Sequence, residues 1–172
     1  NTFRYLLGNL NDNFESIDLE KLDVDSLPEL EKYMLHKIYN LNENFKNYFS
    51  KYDFHNLYKE LLNFCTTDLS AFYFDIRKDS LYCDSKDSEK RKSCIIVLNV
   101  ILESLIKWFA PILSFTTEEI FTLINKDQES IHLQRFIKIP NKYSNEQIKK
   151  KWQELKKIRD ICNISIEAKR AS

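Results

Sequence analysis

An all-α bundle of five to six helices is the fold that this 172-residue sequence predicts. Apolar residues recur at steps of three and four over several separate stretches, the spacing that places side chains on one helix face. The chain holds one glycine and three prolines, too few for the tight and left-handed turns of a sandwich or barrel. Its apolar fraction of 43% and aromatic fraction of 13% argue for a folded globule, so the stripes have a core to share.

Taken in order, residues 1–10 put Phe3, Leu6, Leu7 and Leu10 on one face and read as a helix end stopped near Gly8. Residues 9–27, acidic and rich in Asn and Asp, read as a loop. Ser26, Leu27, Pro28 and Glu29 resemble a capping box with proline in the first turn. The helix after it carries Leu30, Met34, Ile38, Leu41, Phe45 and Tyr48 or Phe49, and should stop near Tyr52. Asp53 suits the N-cap of the longest helical stretch, residues 54–82, roughly 43 Å at 1.5 Å per residue. Phe54, Leu57, Leu61, Cys65, Leu69, Phe72 and Ile76 form its stripe, and Thr66, Thr67 and Asp68 are where it should kink or restart.

Residues 83–91 are polar and predict a turn. Residues 94–109 are apolar on several sides, as a central helix is, and Pro111 closes that helix. Thr116, Thr117, Glu118 and Glu119 predict a capping box for a short helix reaching Ile124. Residues 130–139 show the β-branched alternation of a short extended segment. Ser144, Asn145, Glu146 and Gln147 cap a last helix whose stripe is Ile148, Trp152, Leu155, Cys162 and Ile166.

Several function classes are excluded. One glycine cannot build a Walker loop, a dinucleotide-binding turn or a nucleophile elbow. Cys65, Cys83, Cys94 and Cys162 lack paired spacing, so reduced core thiols are expected rather than a metal or disulfide framework. His36, His55 and His132 fall in three different elements without ligand spacing, as surface or satisfied core histidines do. No catalytic set emerges, no metal site is expected, and no stretch approaches the length of a membrane span. Asn1 is not a natural start, which predicts a piece of a longer chain. Net charge is zero, yet residues 12–31 hold eight acidic side chains against Lys21, and residues 138–159 hold eight basic ones against Glu146 and Glu154. Such runs are solvated faces or, for the basic one, a surface for phosphates.

Two aromatics are out of phase with their helices. At about 100° per residue, Phe72, Tyr73 and Phe74 cannot share one core, and Phe74 sits near 200° from the stripe. Tyr5 likewise lies about 200° from Phe3, beside Arg4 and Asn1, whose side chains suit phosphates and base edges. Either a further layer covers each ring, or the rings offer stacking faces to unpaired bases. A purely structural, protein-interaction bundle is the alternative from a different class.

NTFRYLLGNLND (residues 1–12), FHNLYKELLNFCTTDLSAFYFDIRKDSLYC (54–83), LIKWFAPILSFTTEEIF (105–121), SIHLQRF (130–136) and WQELKKIRDICNISIEAKR (152–170) resemble, in order, the bacterial-type isoleucyl-tRNA synthetase family. The stretch resembled follows the catalytic core and is the helical anticodon-binding domain of class Ia synthetases. Valyl-tRNA synthetase is the nearest confusable family. The resemblance implies a parent that uses ATP and magnesium to join isoleucine to its tRNA, with a C-terminal zinc module. The HIGH and KMSKS signatures of that core are not in this sequence, so no cofactor and no catalysis are expected of this chain alone. It implies tRNA(Ile) as partner, together with the parent's catalytic and C-terminal domains, a cytoplasmic setting and a monomer. Residues 1–143 are then the bundle and residues 144–172 a linking helix. In the valine enzyme the positions matching Tyr5, and Phe74 with Asp75, lie at the anticodon. With Asn1 and Arg4 these make the expected anticodon-binding set. Lys149, Lys150 and Lys151 are expected to attract the tRNA backbone.

Overall fold

The computed structural model describes residues 1–10, 14–125 and 129–170, so the three residues after Leu10 in the expected loop, and the last two of the linking helix, lie outside it. Helix α1 spans Thr2–Leu10, α2 Glu29–Ser50, α3 Phe54–Asn63, α4 Asp75–Cys83, α5 Glu89–Phe109, α6 Ser114–Ile124 and α7 Glu146–Arg170. A π-helical stretch, Phe64–Phe74, joins α3 to α4. The backbone stays in the right-handed helical region through both junctions, at Asn63 and Asp75, so α3, the π stretch and α4 are one long helix. Counted so, there are six helices among the described residues, and no strand. The all-α bundle is what the periodicity requires.

The stripes of α2 and α5 make the centre. Leu30, Met34, Ile38, Leu41 and Phe45 are buried from α2, and α5 buries residues on every side, Cys94, Leu98, Ile101, Leu105 and Trp108 among them. The long helix packs on both, α1 on α5 and the π stretch, α6 on α5, and α7 on α2. Gly8 lies inside α1 and does not end it; an added Cβ there would meet nothing within 4 Å.

Two of the expected capping boxes do not form. Pro28 precedes α2 without a side-chain cap, and the Ser26 hydroxyl donates instead to the Asp23 carbonyl at 2.9 Å. Helix α6 starts at Ser114, two residues early, and the Glu118 carboxylate accepts from Ser130 and the Ile131 amide at 2.8 and 3.0 Å. The other caps hold: Asp53 accepts from the Asn56 amide at 3.2 Å, and Asn145 from the Ile148 amide at 3.0 Å. Residues 130–139 form a 3₁₀ turn, Ile131–Leu133, then unpaired chain that buries Ile137 and Ile139 with Lys138 exposed. The alternation is therefore real, but no strand accompanies it.

The three consecutive aromatics face three neighbours. Phe72 meets Tyr33 of α2 and Trp152 of α7 edge-on, at 6.2 and 5.9 Å. The Tyr73 hydroxyl donates to the Glu31 carboxylate of α2 at 3.2 Å and lies 3.5 Å from the Cys94 sulfur of α5. Phe74 is covered by α1 and is only 5% exposed. Of the two alternatives that helical phase leaves for Phe74, a covering layer is the one present. The wider π turn, with its i→i+5 bonds, advances each residue by less than an α-helical step, and α1 supplies the covering layer. Thr66, back-bonded to the Leu62 carbonyl at 3.0 Å, lies in that stretch, which widens rather than breaks.

Beneath Tyr73, Arg77 donates from Nε and Nη2 to the two oxygens of Glu31 at 2.6 and 2.5 Å, with both side chains buried. Helix α7 is seated by Trp152 stacked on Tyr33 at 5.5 Å and by Lys156, which bonds Asp68 at 2.9 Å and lies 4.2 Å over the Phe72 ring. Much of its stripe is exposed among the described residues: Leu155, Cys162 and Ile166 are all open. The stripe expected for α7 is therefore buried only at Ile148 and, in part, at Trp152.

Candidate functional site

Helix α1 lies across the π stretch because Leu6 and Leu10 are buried against the core and Tyr5, on the other face, is left to meet Phe74. The two rings stack with centroids 4.1 Å apart and planes 17° from parallel, the offset arrangement that aromatic quadrupoles favour. They do not stand as two separate open platforms; they occupy each other. Tyr5 remains half-buried, and its hydroxyl is buried without a hydrogen-bond partner among the described residues. That burial, with the neighbouring Tyr82 and Cys94, pushes the hydroxyl well above an ordinary tyrosine.

The stack forms one wall of a groove of about 540 Å³ that also takes in Asn1 and Asp75. Four of the five expected anticodon residues are therefore brought together. Asn1 holds the start of α1, its carbonyl accepting the Tyr5 amide at 2.9 Å. Asp75 is exposed and gripped at both oxygens, Oδ1 by Lys78 at 2.9 Å and Oδ2 by Arg159 at 3.0 Å. The Lys78 bond first, then the charges of Lys78 and Arg159, hold its carboxyl below the usual range. Arg4 is exposed on α1 but does not line the groove.

The three lysines are elsewhere. Lys149 pairs with Glu146 at 3.0 Å and Lys151 with Glu29 at 2.7 Å, while Lys150 is exposed and makes no salt bridge with a described residue. None lines the groove. Thr66, Ser70, Lys78 and Tyr82 do, and none had been singled out for it. Lys78 was findable, three residues from Asp75 on one helix face. Arg159 was not, being 84 residues distant in sequence.

Among the described residues the histidines and cysteines form no metal-binding cluster, and of them only Cys65 lines the groove. His36 is fully buried between α2 and α7. Its Nδ1 accepts the Asn145 amide at 2.9 Å, so the neutral ring carries its proton on Nε2 and donates to the Asn40 side-chain amide 2.8 Å away, which must turn its oxygen to the ring. His55 and His132 are exposed. Cys65 and Cys94 are core thiols, pushed up to about 11 by burial, whereas Cys83 and Cys162 are exposed. Among the described residues no helix is long and apolar enough to cross a membrane.

Comparison with known proteins gives the groove a context. A family model described as the anticodon-binding domain of tRNA ligase matches residues 31–171. An isoleucine–tRNA ligase from Pelagibacter ubique is 77% identical over 172 residues, which is 100% of this chain and 19% of that protein. Isoleucine–tRNA ligases from Agrobacterium fabrum and Brachyspira hyodysenteriae are each 39% identical over 171 residues, 99% of this chain and 17% and 18% of theirs. The chain spans less than a fifth of the length of these curated relatives.

Proposed function

This chain belongs to the anticodon-binding domain family of tRNA ligases, and from that premise we propose that it reads the anticodon stem-loop of tRNA(Ile) for a bacterial-type isoleucine–tRNA ligase. The names of the relatives support isoleucine over valine. In this reading the ATP-dependent joining of isoleucine to tRNA, and any magnesium or zinc, belong to parts of the ligase outside this chain. Residues 1–143 are the reading bundle, and 144–172 lead toward a further region of a monomeric, cytoplasmic enzyme.

The observation that carries the proposal is the groove walled by the Tyr5–Phe74 stack. Single-stranded RNA is recognised by splaying out loop bases and stacking them on aromatic rings. With Phe74 filling one face of Tyr5, the pair acts as a preformed two-ring stack to which an unpaired base adds. Phe74 is then the backing ring rather than a separate platform. Asn1 and Asp75 supply polar groups for base edges, and Arg4 and Lys78 meet the backbone. Lys149, Lys150 and Lys151 add sequence-independent attraction; because two are already paired, most of it falls to Lys150.

The test is tRNA affinity in the full-length ligase carrying Tyr5→Leu, which keeps apolar cover over Phe74 but removes the stacking face. A base stack is worth about 1–3 kcal/mol, so affinity should fall roughly 5- to 100-fold. The loss should be the same at low and high salt, because stacking releases no counterions. Unchanged affinity would remove the stacking role.

A further inference from the structure

Arg159 stands on α7, yet it reaches the groove's acidic residue. Its Nη2 lies 3.0 Å from Asp75 Oδ2 and 3.3 Å from the Ala71 carbonyl, and its guanidinium sits 5.6 Å from the Phe72 ring centre. A carboxylate, a carbonyl and a ring thus fix one arginine whose side chain is 32% exposed. Lys78 holds the other Asp75 oxygen at 2.9 Å. A carboxylate bound at one oxygen from its own helix and at the other from α7 is biased toward one setting of its side-chain torsions. It has about four acceptor positions, of which these bonds use two, so acceptor capacity remains toward the groove it lines.

A fixed acceptor pair has a chemical preference. It receives N–H groups, such as the ring N–H and amino group of guanine or the amino groups of adenine and cytosine. It rejects edges that present only oxygen or unprotonated nitrogen. Two cations around one anion also leave the rim locally positive, so Asp75 does not repel the phosphates of an incoming strand.

We propose that Arg159 is a positioning residue for base recognition: it locks Asp75 in the orientation that accepts from the N–H edge of an RNA base in the Tyr5–Phe74 groove. Helix α7 is then part of the reading surface and not only a connector. The inference rests on the groove being the anticodon site, and it adds the chemical class of edge that is read there. The competing role for Arg159 is a strap that keeps α7 on the bundle. A strap would shift thermal stability and weaken every tRNA alike.

The experiment uses the full-length ligase as wild type, Arg159→Ala, Arg159→Lys, Asp75→Asn and the Arg159→Ala/Asp75→Asn double variant. Each is titrated with tRNA of native anticodon loop and with tRNAs in which one loop base at a time loses an amino group without gaining a ring N–H (inosine for guanosine, purine riboside for adenosine, pyrimidin-2-one riboside for cytidine). Wild type should prefer the native loop over one of these by about tenfold, the discrimination expected of a well-made base contact. Arg159→Ala should lose most of that preference while binding the amino-less tRNA as wild type does. Arg159→Lys should recover part of it, and the double variant should lose no more than Asp75→Asn alone. Uniform weakening across all tRNAs with a lowered thermal midpoint, or additive losses in the double variant, would overturn the positioning role. If Tyr5→Leu weakens binding and Arg159→Ala leaves the preference intact, this inference fails alone. If Tyr5→Leu and Asp75→Asn both bind every tRNA as wild type does, the groove reading fails and takes this inference with it.

Discussion

Tyr73 and Tyr5 sit on either side of the same short stretch of π helix, and their hydroxyls are treated in opposite ways. The Tyr73 hydroxyl is fully buried between Glu31 and Cys94, in a network that Arg77 completes. The Tyr5 hydroxyl is also buried, with the Tyr82 side chain beside it but no well-formed hydrogen bond among the described residues. A buried polar group without a partner forfeits about 1–3 kcal/mol relative to one that has it, so the first side is closed chemistry and the second is open. The difference separates these two hydroxyls rather than scaffold from site at large, since the Nε1 groups of Trp108 in the core and of Trp152 on α7 are also buried without a described partner. What sets Tyr5 apart is the groove beside it. Where all valences are filled, a ligand has nothing to add; where one is left over beside a groove, a ligand can complete it.

The largest expected effect comes from unsealing the closed side. In Glu31→Gln, the shape is kept but the buried Arg77 guanidinium loses its counter-charge. Breaking a buried pair at one partner typically costs about 3–5 kcal/mol, and urea unfolding of this chain should show a loss of that size. A loss under about 1 kcal/mol, the range of an exposed pair, would mean that water reaches the pair and would erase the contrast with the groove.

A second sealed contact, at the seam of α2 and α7, tests the same idea by pH. Burial first, and then the charges of Lys149 and Lys37, keep the His36 imidazole below its ordinary value, with Glu146 at 3.9 Å opposing them in part. The folded state therefore holds His36 neutral at a pH where the unfolded chain takes up the proton. Stability from this group is fully present above the unfolded value of about 6.5. It falls as pH drops below that, by at most about 1.4 kcal/mol per pH unit for one proton. The loss between pH 7.5 and 5.5 should be smaller in His36→Asn, whose side-chain oxygen can take the place of Nδ1 without titrating. Equal losses in both proteins would show that His36 is not closed to protons.

The closed side was more legible in the sequence than the open one, for physical reasons. The stripes of α2 and α5 were readable because burial on one face imposes a period, and Asp53 was readable as a cap because its partner is three residues away. Ser26 and Thr116 misled because short polar side chains have several backbone partners within reach, and only the folded chain decides among them. Phe74 stands out because it breaks phase, which leaves a covering layer and an open face as alternatives, and an i→i+5 turn leaves no spacing signature that would choose between them. The α7 stripe shows a different limit, since Cys162 and Ile166 keep the period yet are exposed among the described residues. Periodicity reports a face, not the neighbour that covers it. Within the site, Tyr5 and Asp75 were within reach of local reasoning and Arg159 was not, because its pairing depends on how α7 crosses the bundle.

The finest test compares the two hydroxyls directly. Tyr73→Phe removes one bond from Glu31 but leaves both Arg77 bonds, so the chain should lose about 1 kcal/mol, the usual net worth of such a bond. Tyr5→Phe removes a hydroxyl that has no partner, and stability should stay level or rise by up to about 1 kcal/mol. Binding should move the other way. If RNA binding shifts the Tyr5 ring so that a base reaches its hydroxyl, Tyr5→Phe in the full-length ligase should bind tRNA several-fold more weakly, about 1 kcal/mol, with the ring stack kept. Tyr73→Phe should leave that affinity near wild type, because its hydroxyl faces Glu31 and Cys94 rather than the groove. Should Tyr5→Phe instead destabilise the fold as much as Tyr73→Phe, its hydroxyl already has a partner such as an ordered water. The groove would then lose the unfilled valence on which the contrast depends.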